Sequence, residues 1–212
     1  PGTQRRAMTP DEIAKLLQVA PEHRRLLYET AFCTGLRAGE LRALTVKNLD
    51  MERSALLLSA EWTKNRRAGI HPIPRALARR LADFAATGKA SELYAKKYAR
   101  KDSKPKDVPD TPLLYVPSHT ARELYEDLKA AELAAFVPGE GKVDFHSCRV
   151  AYVTLIYGAG ATVKEGQTLA RHLTPGLTMN TYARTRNERL SELAEKVGAT
   201  VLSGPDYAHC RT

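Results

Sequence analysis

Cysteine is scarce in this chain: Cys33, Cys148 and Cys210 are the three thiols among 212 residues. An odd number at wide spacing excludes a disulfide framework and a paired-cysteine zinc site, so all three are read as reduced thiols. No apolar run approaches the length of a membrane span, and the first residues contain no apolar signal-peptide core. The sequence opens on Pro1 instead of methionine. These features lead us to expect a cytoplasmic location and a piece of something longer. Acidic residues are also in short supply, 24 against 33 lysines and arginines, for a formal charge of +9. That excess favours a polyanionic partner, with nucleic acid first and membrane lipid behind it. No internal repeat recurs at a solenoid-like period. What is present is 43% hydrophobic residues, enough for one ordinary core, as a single domain or a domain with a small appendage.

Helices occupy both ends, with a small strand region near the front. Thr9-Pro10-Asp11-Glu12 forms a capping box with proline at the first helical position, predicting a helix through Leu17. Pro21 opens a second helix that stops at Gly35. Arg37 stands at the next junction, before a helical stretch from Leu41 to Leu44. Two short strands, 54–60 and 70–74, flank a basic turn holding Lys64, Arg66, Arg67 and Gly69. A helix is predicted over 75–86, ending at Gly88. The lysine- and proline-rich segment 89–112 reads as part helix (91–100) and part mobile linker, inserted into the domain. An extended piece at 113–116 precedes a helix over about 120–136, which Pro138-Gly139-Glu140-Gly141 breaks. Helices are predicted over 145–157, 162–172 and 182–197.

Two short runs carry chemistry on this scaffold: Thr34-Gly35-Leu36-Arg37-Ala38-Gly39-Glu40-Leu41 and His146-Ser147-Cys148-Arg149, followed by His172 and Tyr182. Two arginines, two histidines and a tyrosine are the inventory for breaking a phosphodiester without a metal. Guanidinium groups grip phosphate bidentately, imidazoles move protons near neutrality, and a phenol can become a phosphorylated nucleophile. Each residue also has a plainer explanation. His146 and Arg149 share one helix face, where they can meet one ligand or simply face solvent. Arg37 and Glu40 could form a surface ion pair of little worth. The apolar neighbours Phe32, Leu36 and Leu41 argue instead for a partly buried arginine oriented by Glu40. Lys64, Arg66 and Arg67 could touch DNA phosphates without taking part in chemistry. His172 could serve a helix C-terminus, and Tyr182 is one of nine tyrosines. His71, between apolar strand residues, reads as structural, and His23, His119 and His209 have no partner at useful spacing.

The ordered combination resembles the tyrosine recombinase family, the phage-type integrases. Their pattern is a Thr-Gly-x-Arg-x-x-Glu-Leu box, a strand-turn lysine, His-x-x-Arg, a later histidine and a C-terminal tyrosine. Here the matching residues are Thr34 to Leu41, Lys64, His146 to Arg149, His172 and Tyr182, and the match runs from about Thr9 to Val197. The resemblance implies a fold that is mainly α with a small antiparallel β-sheet (α+β), like the DNA breaking-rejoining enzymes. It also implies a catalytic domain over 1–202 with the basic insertion at about 89–112, a C-terminal tail over 203–212, and an N-terminal DNA-clamping domain absent from this chain. Three features depart from the pattern: Ala170-Arg171 stands where Leu-Gly is usual, Val150 follows Arg149, and Tyr182 comes ten positions after His172 where nine is common.

The resemblance assigns catalysis to Arg37, Lys64, His146, Arg149, His172 and Tyr182. Arg37, Arg149 and His172 would stabilise the pentacoordinate phosphorus, and Tyr182 would attack to give a 3′-phosphotyrosyl ester. An ordinary phenol titrates near ~10, so a base must take its proton, and His146 holds that role in the family. Lys64 would protonate the departing 5′-oxygen, while Arg66 and Arg67 bind DNA. The reaction calls for no divalent metal and no cofactor. The implied partners are double-stranded DNA attachment sites and further copies of the chain, in a homotetrameric synapse formed from a fragment that is monomeric in solution. No membrane is involved. Two alternatives stay open at this point: type IB topoisomerase-like cleavage that rejoins the same strand, and a non-catalytic DNA-binding module.

Overall fold

Residues 4–61, 68–98 and 108–171 are described by a computed structural model of the chain. Helix α1 (Pro10–Val19) begins with the expected capping box. The Thr9 hydroxyl accepts from the Glu12 N–H at 3.2 Å, and the Glu12 carboxylate accepts from the Thr9 N–H at 2.9 Å. Glu12 also takes both terminal nitrogens of the buried Arg6, at 2.6 and 2.7 Å, which ties the lead-in chain to α1. Helix α2 (Glu22–Thr34) buries Leu26, Leu27, Tyr28, Ala31 and Phe32, and stops at Gly35, whose φ of +61° is the left-handed turn expected there. Helix α3 (Ala38–Ala43) starts earlier than the expected Leu41, because Glu40 folds back to accept the Arg37 N–H at 2.9 Å and stabilises an extra turn.

A short 3-10 turn (Val46–Asn48) leads into an antiparallel sheet of order β1 (Leu49–Asp50), β2 (Ala55–Leu58) and β3 (Gly69–Pro72). Strand β1 was not expected, since two residues are too few for alternation to be visible. The register places Leu56 between Leu49 and His71. Side chains alternate across a strand, and in β3 the buried position belongs to His71 while Ile70 and Pro72 face outward.

Helix α4 (Arg75–Ala86) turns Leu77, Ala78, Leu81 and Phe84 inward. Helix α5 (Lys89–Tyr98) supplies the helical half of the lysine-rich segment and is anchored to the body. Its Tyr94 ring lies 4.8 Å from that of Tyr115, and its hydroxyl accepts the Val116 N–H at 2.8 Å. The extended piece at 113–116 is threaded through the interior, with the Leu113 N–H bonded to the Leu44 carbonyl at 2.9 Å. Helix α6 (Thr120–Ala130) is pinned to α2 by the buried Asp127, which accepts from Arg24 at 2.7 and 2.8 Å and from the Tyr28 hydroxyl at 2.7 Å. It ends well short of the expected Phe136. Glu132 adopts φ +56°, and the chain turns into a hairpin, β4 (Phe136–Val137) and β5 (Gly141–Lys142), around the predicted Pro138–Gly141 break.

Helix α7 (Ser147–Gly158) packs along α2, and α8 (Val163–Ala170) packs against α7 behind a capping box of Thr162 and Glu165. The last predicted helix, 182–197, lies outside the described residues. The architecture is mainly helical with small antiparallel sheets, as expected. No helix among the described residues is long and apolar enough to cross a membrane.

Candidate active site

The two motif runs, more than a hundred positions apart, are joined by one side chain. Arg149 lies in the first turns of α7, and its side chain is directed between two chain ends. One terminal nitrogen donates to the Gly35 carbonyl at 2.6 Å and the other to the Ala170 carbonyl. The first contact seats the α2–α3 junction, and the second seats the end of α8. Only 5% of Arg149 is exposed, and burial pulls its pKa down to about 10, with the nearby Arg37 guanidinium acting in the same direction. It therefore remains a cation at neutral pH. A buried charge persists only with strong partners, which the two carbonyls supply.

Local sequence explains why the junction turns there. The buried Thr34 hydroxyl donates to the Thr30 carbonyl at 2.6 Å and accepts the Leu36 N–H at 3.2 Å, closing α2 and starting the next segment. A β-carbon at position 35 would sit 2.5 Å from Cδ1 of Tyr152, at a φ that L side chains rarely adopt. Gly35→Ala should therefore destabilise the fold by about 2–4 kcal/mol, combining left-handed strain with overpacking. The check is urea unfolding; a midpoint unchanged from wild type would refute the close approach.

Glu40 is the acidic centre of the cluster, 3% exposed. Its Oε1 accepts from Arg37 Nη1 at 3.2 Å and lies 3.7 Å from Arg171 Nη1, while Oε2 caps the Arg37 N–H. The expectation that Arg37 is partly buried and oriented by Glu40 is met: 30% of its side chain remains exposed. His71 joins this neighbourhood, which its sequence context did not suggest. Its ring centroid is 6.1 Å from that of Tyr152, and its buried Nε2 has no hydrogen-bond partner among the described residues. Burial, then the charges of Arg171 and Arg149, pull its pKa down to about 4, so the imidazole is neutral. The alternation of β3 is the one signal that could have found it, because placing His71 inward requires Ile70 outward.

His146 precedes α7 and is exposed at the surface. Its backbone N–H donates to Asp144 Oδ1 at 3.0 Å, and Asp144 is held by Arg5 Nε at 2.8 Å. Partial shielding, followed by the charges of Arg5 and Arg149, holds its pKa below the ordinary imidazole value. Arg37 and Arg149 also act on His146 electrostatically, so these three predicted residues share one neighbourhood with Glu40. Lys64, Arg66, Arg67, His172 and Tyr182 lie outside the described residues. No cluster of three or more His, Cys, Asp or Glu side chains suited to a metal ion occurs among the described residues.

Arg37 and Arg171 both approach the Glu40 carboxylate and Arg149 lies within its electrostatic reach, so the cluster carries more positive than negative charge and can attract an anionic phosphate oxygen. The family described as "Phage integrase family" matches residues 6–189. Tyrosine recombinase XerD of Agrobacterium fabrum (strain C58 / ATCC 33970) is 28% identical over 183 residues, 84% of this chain and 54% of the relative. The chain thus spans about half the length of the curated relative it matches. Among solved structures, XerA recombinase superposes with a TM-score of 0.62 at 19% identity, covering 92% of this chain and 65% of that one. The catalytic domain of bacteriophage HP1 integrase gives 0.57 at 14% identity, covering 90% and 95%. The Tn1549 transposon integrase in complex with circular intermediate DNA gives 0.63 at 18% identity, covering 90% and 66%.

Proposed function

The chain belongs to the phage integrase family, and on that premise we propose that it is the catalytic part of a site-specific DNA recombinase working through a 3′-phosphotyrosine. The observation that carries this reading is the Arg149 clamp, which brings the Arg37 run and the end of α8 to one place. That place has more positive charge than Glu40 neutralises. Double-stranded DNA is the proposed partner, in keeping with the net charge of +9 and with the circular intermediate DNA held by the Tn1549 integrase. Four copies of the chain would meet in the synapse, and the chain alone in solution would be a monomer.

In the proposed reaction, the Tyr182 phenolic oxygen bonds to the scissile phosphorus as the bond from phosphorus to the 5′-oxygen breaks. Arg37 and Arg149, with His172, stabilise the charge on the non-bridging oxygens. His146 takes the phenol proton, and Lys64 gives one to the leaving 5′-oxygen. A second 5′-hydroxyl then attacks the phosphotyrosine and reverses the sequence, so the bond energy is conserved in the protein linkage. Arg66 and Arg67 contact the DNA backbone.

The experiment is covalent capture. A pool of nicked duplexes of randomised sequence is incubated with the protein, and adducts are isolated on denaturing gels and sequenced. A sequence-selected adduct is expected; a protein that binds duplexes without ever forming one is a DNA-binding module. Free relaxation of supercoiled plasmid without exchange of strands would favour the topoisomerase-like alternative.

The His146 environment adds a pH dependence. With its pKa lowered, His146 is neutral at pH 7 and free to accept the phenol proton. Adduct formation should fall as pH drops through that lowered value. Arg5→Ala removes a charge that opposes the imidazolium and leaves Asp144, which favours it. The acid limb of the single-turnover rate should therefore move to higher pH in this variant. An unmoved or oppositely moved limb would remove His146 as the base.

A further inference from the structure

Helix α8 ends on a residue that backbone geometry disfavours. Arg171 adopts φ +53° and ψ +41°, the left-handed conformation that glycine enters freely and a β-carbon opposes. Its side chain does not extend into solvent from this position. Only 16% of it is exposed, and its Nη1 lies 3.7 Å from Glu40 Oε1. That oxygen is the one that already accepts from Arg37 Nη1 at 3.2 Å. A strained backbone held by a specific side-chain contact is the pattern seen where function, not stability, selects the residue.

A second observation comes from the neighbouring strand. His71, 2% exposed, keeps an Nε2 with no partner among the described residues within the electrostatic reach of Arg171, Arg149 and Glu40. Glu40 acts electrostatically on both Arg171 and Arg149. Glu40 therefore takes Arg37 and Arg171 at close range, with Arg149 and the His71 imidazole within its electrostatic reach.

The consequence concerns Arg37. A carboxylate paired to Arg37 alone would cancel much of that guanidinium's field at an incoming phosphate. We propose that Arg171 is a positioning residue of the phosphate pocket: it shares the Glu40 carboxylate with Arg37 and so leaves Arg37 available to the scissile phosphate. This rests on Arg37 being a phosphate ligand, as in the proposed function. Arg171 acts through Glu40, not on the reacting atoms.

The test starts with Arg171→Gly in the full chain. Glycine suits the left-handed turn, so the melting temperature should stay level or rise. Affinity for a selected duplex should stay within about threefold, while single-turnover adduct formation falls ~10–100-fold, less than for loss of a direct oxyanion donor. Arg171→Lys, which keeps the cation, should recover most of that loss. In a Glu40→Gln background, where the shared charge is gone, Arg171→Gly should cost less than about threefold, the non-additivity expected of coupled groups. Equal losses in both backgrounds, or a wild-type rate in Arg171→Gly, would overturn the proposal.

A cleavage-independent measurement separates this idea from the enzymatic assignment. Phenylglyoxal labelling of Arg37, followed by mass spectrometry of the free protein, should slow several-fold in Arg171→Gly, because Glu40 then pairs with Arg37 alone. Unchanged Arg37 labelling would defeat the sharing of Glu40 even if cleavage were impaired. A wild-type chain that forms no adduct would count against the recombinase reading, and the labelling result would still decide the role of Arg171.

Discussion

Tyr182→Phe is expected to abolish covalent attachment to DNA, by ~10⁴-fold or more, the scale on which an enzyme loses its nucleophile. Duplex affinity should hardly change, because one phenolic oxygen adds little to a binding surface dominated by phosphate contacts. No other tyrosine in the described part of the site can substitute. Tyr152 is the aromatic neighbour of Arg149, but it is buried against Gly35 and His71, and burial pushes its phenol up to about 12. Tyr157 is buried between α7 and α8. The measurement is adduct yield on the captured nicked substrate, with peptide mapping of the wild-type linkage. Residual adduct in the phenylalanine variant, or a mapped linkage elsewhere, would displace Tyr182.

Arg149→Ala should fail twice over, for separable reasons. Loss of a preorganised donor to the non-bridging oxygens should slow adduct formation by ~10²–10³-fold. Loss of the clamp leaves the Gly35 and Ala170 carbonyls without their buried partner, which should cost about 1–3 kcal/mol of stability. For a domain of this size each kcal/mol is roughly 2–4 °C in Tm. Arg149→Lys keeps a charge but cannot fork to both carbonyls, so it should recover part of the stability and little of the rate. Single-turnover rates are compared at a temperature where every variant is folded. Near-normal cleavage by Arg149→Ala would reduce Arg149 to a structural clip, and wild-type stability would show that the clamp holds nothing.

Sequence order alone carried the chemical inventory. The Thr-Gly-x-Arg box and the His-x-x-Arg run stand out as local patterns of residue types, whereas His172 and Tyr182 take their proposed roles from the family resemblance. Also legible were the capping box at Thr9 and the stop at Gly35, whose hydrogen bonds close within one turn of the chain. The pairing of Arg37 with Glu40 was legible for the same reason, since three residues span one helical turn. Elements shorter than a period were not legible. Neither β1 nor the β4–β5 hairpin has enough residues to show alternation, and the hairpin ends α6 where the sequence alone extends it to Phe136.

Tertiary structure decided everything that depends on contacts across the chain. The grip of Arg149 on Gly35 and Ala170 joins helices α2, α7 and α8, and no local pattern encodes which carbonyls a buried guanidinium will find. His71 was read as structural from its apolar neighbours. The register of β3 against β2 turned it inward beside Arg149 and Arg171 and sent Ile70 to the surface, because a one-residue choice of register exchanges the two faces of a strand. Arg171 appeared in the sequence only as a departure from Leu-Gly. Its left-handed backbone is seen only in the structure, and its reach to Glu40 exists only once the end of α8 lies near α3. Residue types and their spacing determined what chemistry this chain can attempt; burial and docking determined which charges share a carboxylate, because the strength of a charge depends on what surrounds it.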